Sequence, residues 1–204
     1  MAITILEAMK LPTFKDFDLV AGYRGLDREI QRASILDYEY ESSLFDKPIQ
    51  TYFEKEDFVI SSLIYAKDDQ SLILESVKGL ISDGVSGLAI KNIYYDELPE
   101  EVIKYANQMD FPIFMFDKKG SYYEDIVTEI YDKKYNTELL QTSIKYIQSG
   151  GNIKQTSKIM NLHSNTVRYR INKVKEILNI DKSEFEFYEE LSIGIKLYMI
   201  YQNI

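Results

Sequence analysis

At 204 residues the chain can hold one large domain or two smaller ones around a real core, and its 45% hydrophobic and 13% aromatic content excludes a disordered chain. The absence of cysteine excludes disulfides, thiolate metal sites and thiol nucleophiles together. The formal net charge of −9 is unevenly spread: residues 1–137 carry 15 Lys and Arg against 26 Asp and Glu, whereas residues 138–204 carry nine against seven.

Taken in chain order, Ile3–Lys10 reads as a short helix capped by Thr4. Asp18–Ala21 and Glu29–Leu36 read as strands on either side of the turn sequence GYRGLD. Residues 57–63 (DFVISSL) form the next expected strand. Ser71–Ile81 follows as an amphipathic helix with Leu72, Ile73, Val77, Leu80 and Ile81 inward and Asp83–Gly84 closing it. SGLAIK (86–91) is a buried strand, Pro99 opens a helix with Val102, Ile103, Ala106 and Met109 on one face, and FPIFMF (111–116) is a further buried strand. The order strand, helix, strand, helix, strand predicts parallel pairing with right-handed crossovers. No Gly/Ser/Pro linker follows. Residues 121–149 read as almost continuous helix ending at Gly150–Gly151, with Ile126, Ile130, Leu140, Ile144 and Ile147 at mostly helical spacings. The predicted organisation is an α/β N-terminal sensor domain with a partly parallel sheet (1–120), a connecting helix (121–137) and an all-α helix-turn-helix domain (138–204).

The most informative stretch is Gly150–Leu178. Asn152 is placed to cap a helix in which Ile153, Thr156, Ile159 and Met160 share a face. Asn161 occupies the turn, where a left-handed backbone favours Gly or Asn, and Leu162 plugs the angle between helices. Ser164 is the expected cap of a second helix whose buried stripe is Val167, Ile171 and Val174. Between those apolar positions stand Asn165, Thr166, Arg168, Tyr169, Arg170, Asn172 and Lys173. Donors and cations on the outer face of a second helix are what major-groove reading requires. Residues 151–178 contain six Lys and Arg against Glu176 alone, a local +5 in an acidic chain, and two of the five arginines sit here. Such a basic island is an electrostatic footprint for phosphate. The competing reading of the same pattern is a solvated basic surface.

At these residues a resemblance becomes specific. The segment LLQTSIKYIQSGGNIKQTSKIMNLHSNTVRYRINKVKEILNI resembles the C-terminal helix-turn-helix of PucR-type bacterial transcription regulators, with Gly150, Gly151, Asn152, Leu162, His163, Asn165, Thr166, Arg168, Tyr169 and Arg170 matching its pattern, and it is similar to Fis-type helix-turn-helices, which usually carry Gly where Asn161 stands. LPTFKDFDLVAGYRGLDREI and the run from Glu56 to Phe116 resemble the PucR N-terminal domain. The resemblance implies a purine-catabolism-type regulator, and the helix-turn-helix pattern with its local charge points to binding of double-stranded DNA through Asn152, His163, Ser164, Asn165, Thr166, Arg168, Tyr169, Arg170 and Lys173. Asn165, Arg168 and Tyr169 are expected nearest the bases, with Asn152, Thr166, Arg170 and Lys173 at the backbone. Full-length members generally carry a nucleotide-cyclase-like central domain, which is absent between the two parts here.

An enzyme is not expected. The one histidine, His163, lies in the helix-turn-helix turn, where it caps a helix or touches a phosphate. Acidic pairs such as Asp68–Asp69, Asp96–Glu97 and Glu100–Glu101 stand at helix starts, where the helix dipole favours them. No Gly-rich phosphate loop follows a strand, no His/Asp/Glu cluster suggests a metal, and no cofactor is implied. Ligands of a parallel sheet bind beyond the carboxyl ends of its strands. Ser61 and Ser62 stand at one such end, either holding a small polar ligand or capping the next segment. The family commonly has Thr-Thr-Gly there, and this chain has Ser-Ser-Leu. The N-terminal domain is thus read as sensing a small-molecule effector or a partner protein, and the resemblance alone implies a link to purine or nitrogen catabolism. The alternative is an interaction module whose helix-turn-helix serves assembly.

A single helix-turn-helix makes few contacts, so a homodimer on paired half-sites is expected. Ile126, Ile130 and Leu140 offer a contact stripe, or pack back on the N-terminal sheet. No apolar run reaches the roughly 20 residues that span a bilayer, and MAITILEAMK lacks the basic segment and long apolar stretch of a signal peptide. The expectation is a cytoplasmic protein without membrane association.

Overall fold

Runs of apolar and β-branched residues too dense to alternate with polar ones form the centre of the N-terminal half. The computed structural model describes residues 2–36, 53–180 and 183–202, so residues 37–52 of the expected N-terminal domain lie outside it. It divides into two units, Met1–Lys134 and Tyr135–Ile204.

In the first unit, β1 (Ile3–Thr4) pairs antiparallel with β3 (Glu29–Ile30). A five-stranded sheet runs in the order β2 (Phe17–Ala21), β7 (Ile113–Phe116), β6 (Gly87–Lys91), β5 (Asp57–Ser61), β4 (Arg32–Ile35). The four strands from β4 to β7 are parallel, as the alternating order predicts, and β2 closes the β7 edge antiparallel. The connections between β5, β6 and β7 are α2 (Ser71–Ser82) and α3 (Glu100–Gln108).

Because successive side chains on a strand point to opposite faces, each central strand feeds two cores. Val59, Leu88, Ile90, Ile113 and Met115 meet Ile73, Val77 and Leu80 of α2 and Val102 and Ala106 of α3. Phe58, Ile60, Ala89, Phe114 and Phe116 face the other way, onto Phe14, Ile3, Ile5 and the helix residues Ile126 and Ile130. Phe17 stacks on Phe116 with centroids 4.3 Å apart.

Three elements differ from expectation. The first helix, α1, is only Ile5–Ala8, because Ile3 and Thr4 are drawn into β1; Thr4 caps it through a reciprocal box with Glu7. Glu29–Leu36 is two short strands, because Glu29–Ile30 pairs with β1 while Arg32–Ile35 pairs with β5. Met109 is exposed just past the end of α3, where Asp110 (φ 47°) turns the chain into β7.

Gly22 shows why the GYRGLD turn needs glycine. Its φ is 71°, and a Cβ there would lie 1.9 Å from the Phe111 carbonyl oxygen.

α4 (Tyr123–Gln148) gives its first turns to the first unit and its last to the second. Ile126 and Ile130 are buried in the first unit's core, Glu129 accepts from the Thr13 amide and hydroxyl at 3.0 and 2.7 Å, and Lys134 donates to the Gln31 carbonyl at 2.7 Å. The isoleucines therefore pack back on the sheet and are unavailable as an intermolecular stripe. Leu140 is half-buried in the second unit.

The second unit comprises the end of α4 with α5 (Ile153–Met160), α6 (Ser164–Ile177) and α7 (Glu184–Gln202). Its core is Leu139 and Tyr146 of α4, Val167, Ile171 and Val174 of α6, and Phe187, Leu191 and Ile195 of α7. Among the described residues no helix is long and apolar enough to cross a membrane.

Candidate nucleic-acid interface

A sharp stop is needed to end α4 and start α5, and the double glycine provides it: Gly150 and Gly151 have φ of 62° and 77°, both in the left-handed region. Asn152 then caps α5, its Oδ1 accepting from the Gln155 amide at 3.0 Å. Asn161 adopts φ 53° and ψ 42°, the left-handed turn expected of it. Leu162 is half-buried against the core.

The buried face of α5 differs from the apolar stripe expected. Thr156 and Ser157 are buried, whereas Ile159 is 53% exposed. Small hydroxylated side chains let two short helices approach closely: Thr156 Oγ1 returns a hydrogen bond to the Asn152 carbonyl at 2.8 Å, and the Ser157 and Ser164 hydroxyls meet at 3.1 Å across the two helices. Ser164 is accordingly not the cap. That position falls one residue earlier, on His163, whose extended backbone (φ −67°, ψ 142°) lets Nδ1 accept from the Asn165 amide at 3.2 Å. Ser164 clips α6 to α5 instead.

Val167, Ile171 and Val174 are buried as their spacing predicts, and they fix which side of α6 faces out. The outward residues are Asn165, Arg168, Tyr169 and Asn172, with Thr166 and Lys173 half-buried at the flank. Tyr169 is 61% exposed. Arg168 Nη1 donates to Asn165 Oδ1 at 3.0 Å, so an arginine and an amide stand side by side on the first two turns. The Tyr135 hydroxyl of α4 is held above its ordinary range by burial first and by Tyr169 next.

Arg170 departs from the outward face of α6. It is turned inward, ion-paired to Glu138 of α4 and 3.4 Å from Thr142 Oγ1, with most of both charged side chains covered. Its guanidinium ties α6 to α4. Lys173 pairs with Glu176 at 3.0 Å, and that hydrogen-bonded carboxylate raises its pKa; Lys175 reaches Glu184 at 3.2 Å. The remaining cations of the helix-turn-helix, Lys154, Lys158 and Arg168, have no ion-pair partner among the described residues. The usable field is therefore centred on α5 and the start of α6.

In the first unit, Ser61 and Ser62 are both buried. The Ser61 hydroxyl donates to the Leu36 carbonyl and accepts from the Leu63 amide at 2.9 Å, satisfying backbone where Leu63 takes φ 53°. That geometry corresponds to the capping alternative. An open depression of about 630 Å³ lies elsewhere in this unit, lined by residues including Arg24, Glu100, Lys104, Asn107 and Asp110, a grouping no local motif announces.

Comparison with known proteins matches residues 7–133 to the purine catabolism regulatory protein-like family and residues 139–197 to the PucR C-terminal helix-turn-helix domain, leaving 134–138 between them. The chain is 29% identical over 112 residues to the purine catabolism regulatory protein of Bacillus subtilis (strain 168), an alignment covering 54% of this chain and 20% of that one. It is 29% identical over 69 residues to the DNA-binding transcriptional activator AdeR of the same organism, covering 34% of this chain and 16% of the relative. The matches thus span a fifth or less of either relative's length. No solved structure matches. The matched families are transcription regulators and not enzymes.

Proposed function

The chain belongs to the purine catabolism regulatory protein-like family, and from that premise we propose that it is a sequence-specific regulator of transcription acting in the cytoplasm. It inserts α6 in the major groove of double-stranded DNA. The observation that carries this reading is the outward face of α6, where Asn165, Arg168 and Tyr169 stand exposed on a helix whose opposite side is buried. Arg168 suits the O6/N7 edge of guanine and Asn165 that of adenine. Asn152 and Thr166, at or near helix N-termini, with Lys154, Lys158 and Lys173, suit phosphates. His163 and Ser164 serve the site by capping and clipping α6, and Arg170 by holding it against α4. Two copies reading paired half-sites supply the specificity that one helix lacks.

The test is selection of bound sequences from genomic fragments, followed by mobility shift at physiological salt. Arg168→Ala should weaken binding and relax preference at one base pair. Lys154→Ala should weaken all sequences about equally and lower the dependence of affinity on salt. Equal affinity for selected and random DNA would overturn sequence-specific reading.

We further propose that residues 1–120 regulate the DNA-binding residues 138–204 through the intervening helix, in response to a small molecule or protein. The names of the matched family and of one relative, the purine catabolism regulatory protein, point to purine catabolism as the setting. Any such effector shifts operator affinity only by its differential affinity for two states, typically about 1–3 kcal/mol. Two glycines inserted beside Asn136, within α4, should abolish the effector response with operator affinity retained. If purine metabolites and cell extracts alter DNA binding in neither parent nor insertion variant, residues 1–120 are not a sensor.

A further inference from the structure

α7 carries large apolar residues on two opposite sides. Phe187, Leu191 and Ile195 are buried in the second unit's core, yet the opposite side carries Phe185, Ile193, Leu197 and Ile200 in the open, Phe185 at 68% and Ile193 at 59% exposure. A helix that is apolar on both sides belongs in an interior, and a patch of this kind on a surface marks an interface.

The spacing of that outer face identifies its occupant. Phe185, Glu189, Ile193, Lys196 and Ile200 recur at intervals of four, four, three and four and so lie on one stripe. The stripe is symmetric about the midpoint between Ser192 and Ile193. Phe185 and Ile200 are equally far from that point, and so are Glu189 and Lys196. Lys196 is the single cation of α7, and both it and Glu189 are exposed. An antiparallel copy of the same helix would set phenylalanine against isoleucine at each end, Lys196 against the other copy's Glu189 twice, and the two Ile193 side chains beside the axis. A two-fold interface requires this self-complementarity, in which one residue meets a second and the second meets the first.

We propose that the outer face of α7 is the homodimer interface, two copies packing α7 antiparallel about Ile193. The inference rests on the paired half-site reading above and specifies the surface that achieves it. Placing the interface on α7 leaves the outward face of α6, on a different helix, free for DNA.

The experiment uses the full chain, whose lack of cysteine makes introduced thiols unambiguous. Sedimentation equilibrium should show a dimer. Lys196→Glu and Glu189→Lys should each raise its dissociation constant roughly tenfold, because two symmetry-related pairs turn from attractive to repulsive. The double variant should recover parental affinity. Ile193→Cys should cross-link rapidly under mild oxidation, and Met199→Cys, on another side of the same helix, should not. Circular dichroism checks that each variant is folded. A dimer indifferent to the charge reversals, with Ile193→Cys cross-linking no faster than Met199→Cys, would overturn the α7 interface while leaving pairing intact. A folded chain that stays monomeric at high concentration, with and without operator DNA, would overturn both.

Discussion

Arg170 of α6 closes an ion pair on Glu138 of α4, while Arg168, two residues earlier, points away and touches Asn165 at 3.0 Å. The two arginines of one basic motif thus do different work. A helix advances 100° per residue, so positions two apart lie far round the axis from each other. Only one of them can share the outward face centred on Asn165, Arg168 and Tyr169.

Arg168→Ala should therefore cost about 1–3 kcal/mol in operator affinity with the melting temperature unchanged. Arg170→Ala should do the reverse first. It leaves Glu138 largely covered without its guanidinium and should lower the stability of the second unit by about 2 kcal/mol. Chemical denaturation and mobility shift, run on both variants, separate the roles. Equal stability of Arg170→Ala and the parent would remove the strut.

The joint between α4 and α5 offers a second test. Gly151→Ala places a Cβ at φ 77° and 3.1 Å from the Tyr188 ring, so both backbone strain and crowding oppose it. A loss of about 1–2 kcal/mol is expected. Gly150→Asn, where open space surrounds the position and asparagine tolerates the left-handed region, should cost less. The order of the two melting temperatures is the readout.

The parallel centre of the sheet was legible because buried parallel strands are unbroken apolar runs separated by helices of distinct period. Asn152 and Asn161 were legible because caps and left-handed turns select few residue types. Ser164 and Ile159 misled for one shared reason: the close approach of α5 and α6 is a tertiary fact. It moves the cap to His163, turns the serines inward and leaves Ile159 outside. The ion pair of Arg170 was not legible because its partner, Glu138, is 32 residues away in sequence. The boundary between β3 and β4 is set by which neighbour each strand pairs with, and neither neighbour is local.

Asp57 supports a third prediction, in the first unit. It is 1% exposed on its side chain and accepts from Arg32 Nε and Nη2 at 3.0 and 2.7 Å, Ser34 Oγ at 3.0 Å and the Glu54 amide at 3.1 Å. The hydrogen bond to Asp57 is the main reason the Arg32 guanidinium is raised above its ordinary value. Asp57→Ala strips four donors at the start of β5 and should destabilise this unit by about 3 kcal/mol. Asp57→Asn, keeping shape and part of the bonding, should lose less. Urea denaturation followed by tyrosine fluorescence measures both, and an Asp57→Ala variant as stable as the parent would contradict the assignment.

Tyr95 gives the pH dependence. Its hydroxyl donates to the Leu63 carbonyl at 3.1 Å, and burial, reinforced by Asp68 and Tyr94, pushes its pKa from 10.0 up to about 12. The folded chain therefore holds this proton over a window in which the unfolded chain has released it. The folded state binds more protons there, so stability must fall as pH rises from about 10 to about 12, and the contribution is fully present below 10. Other tyrosines titrate in the same range, which makes the difference between parent and Tyr95→Phe the informative quantity. The variant loses the hydrogen bond and should be less stable at pH 8, by about 1 kcal/mol. Above pH 10 its stability should decline less steeply than the parent's, so the gap between the two curves closes inside that window. Parallel curves across that window would show that Tyr95 keeps an ordinary pKa and that its burial does not oppose ionisation.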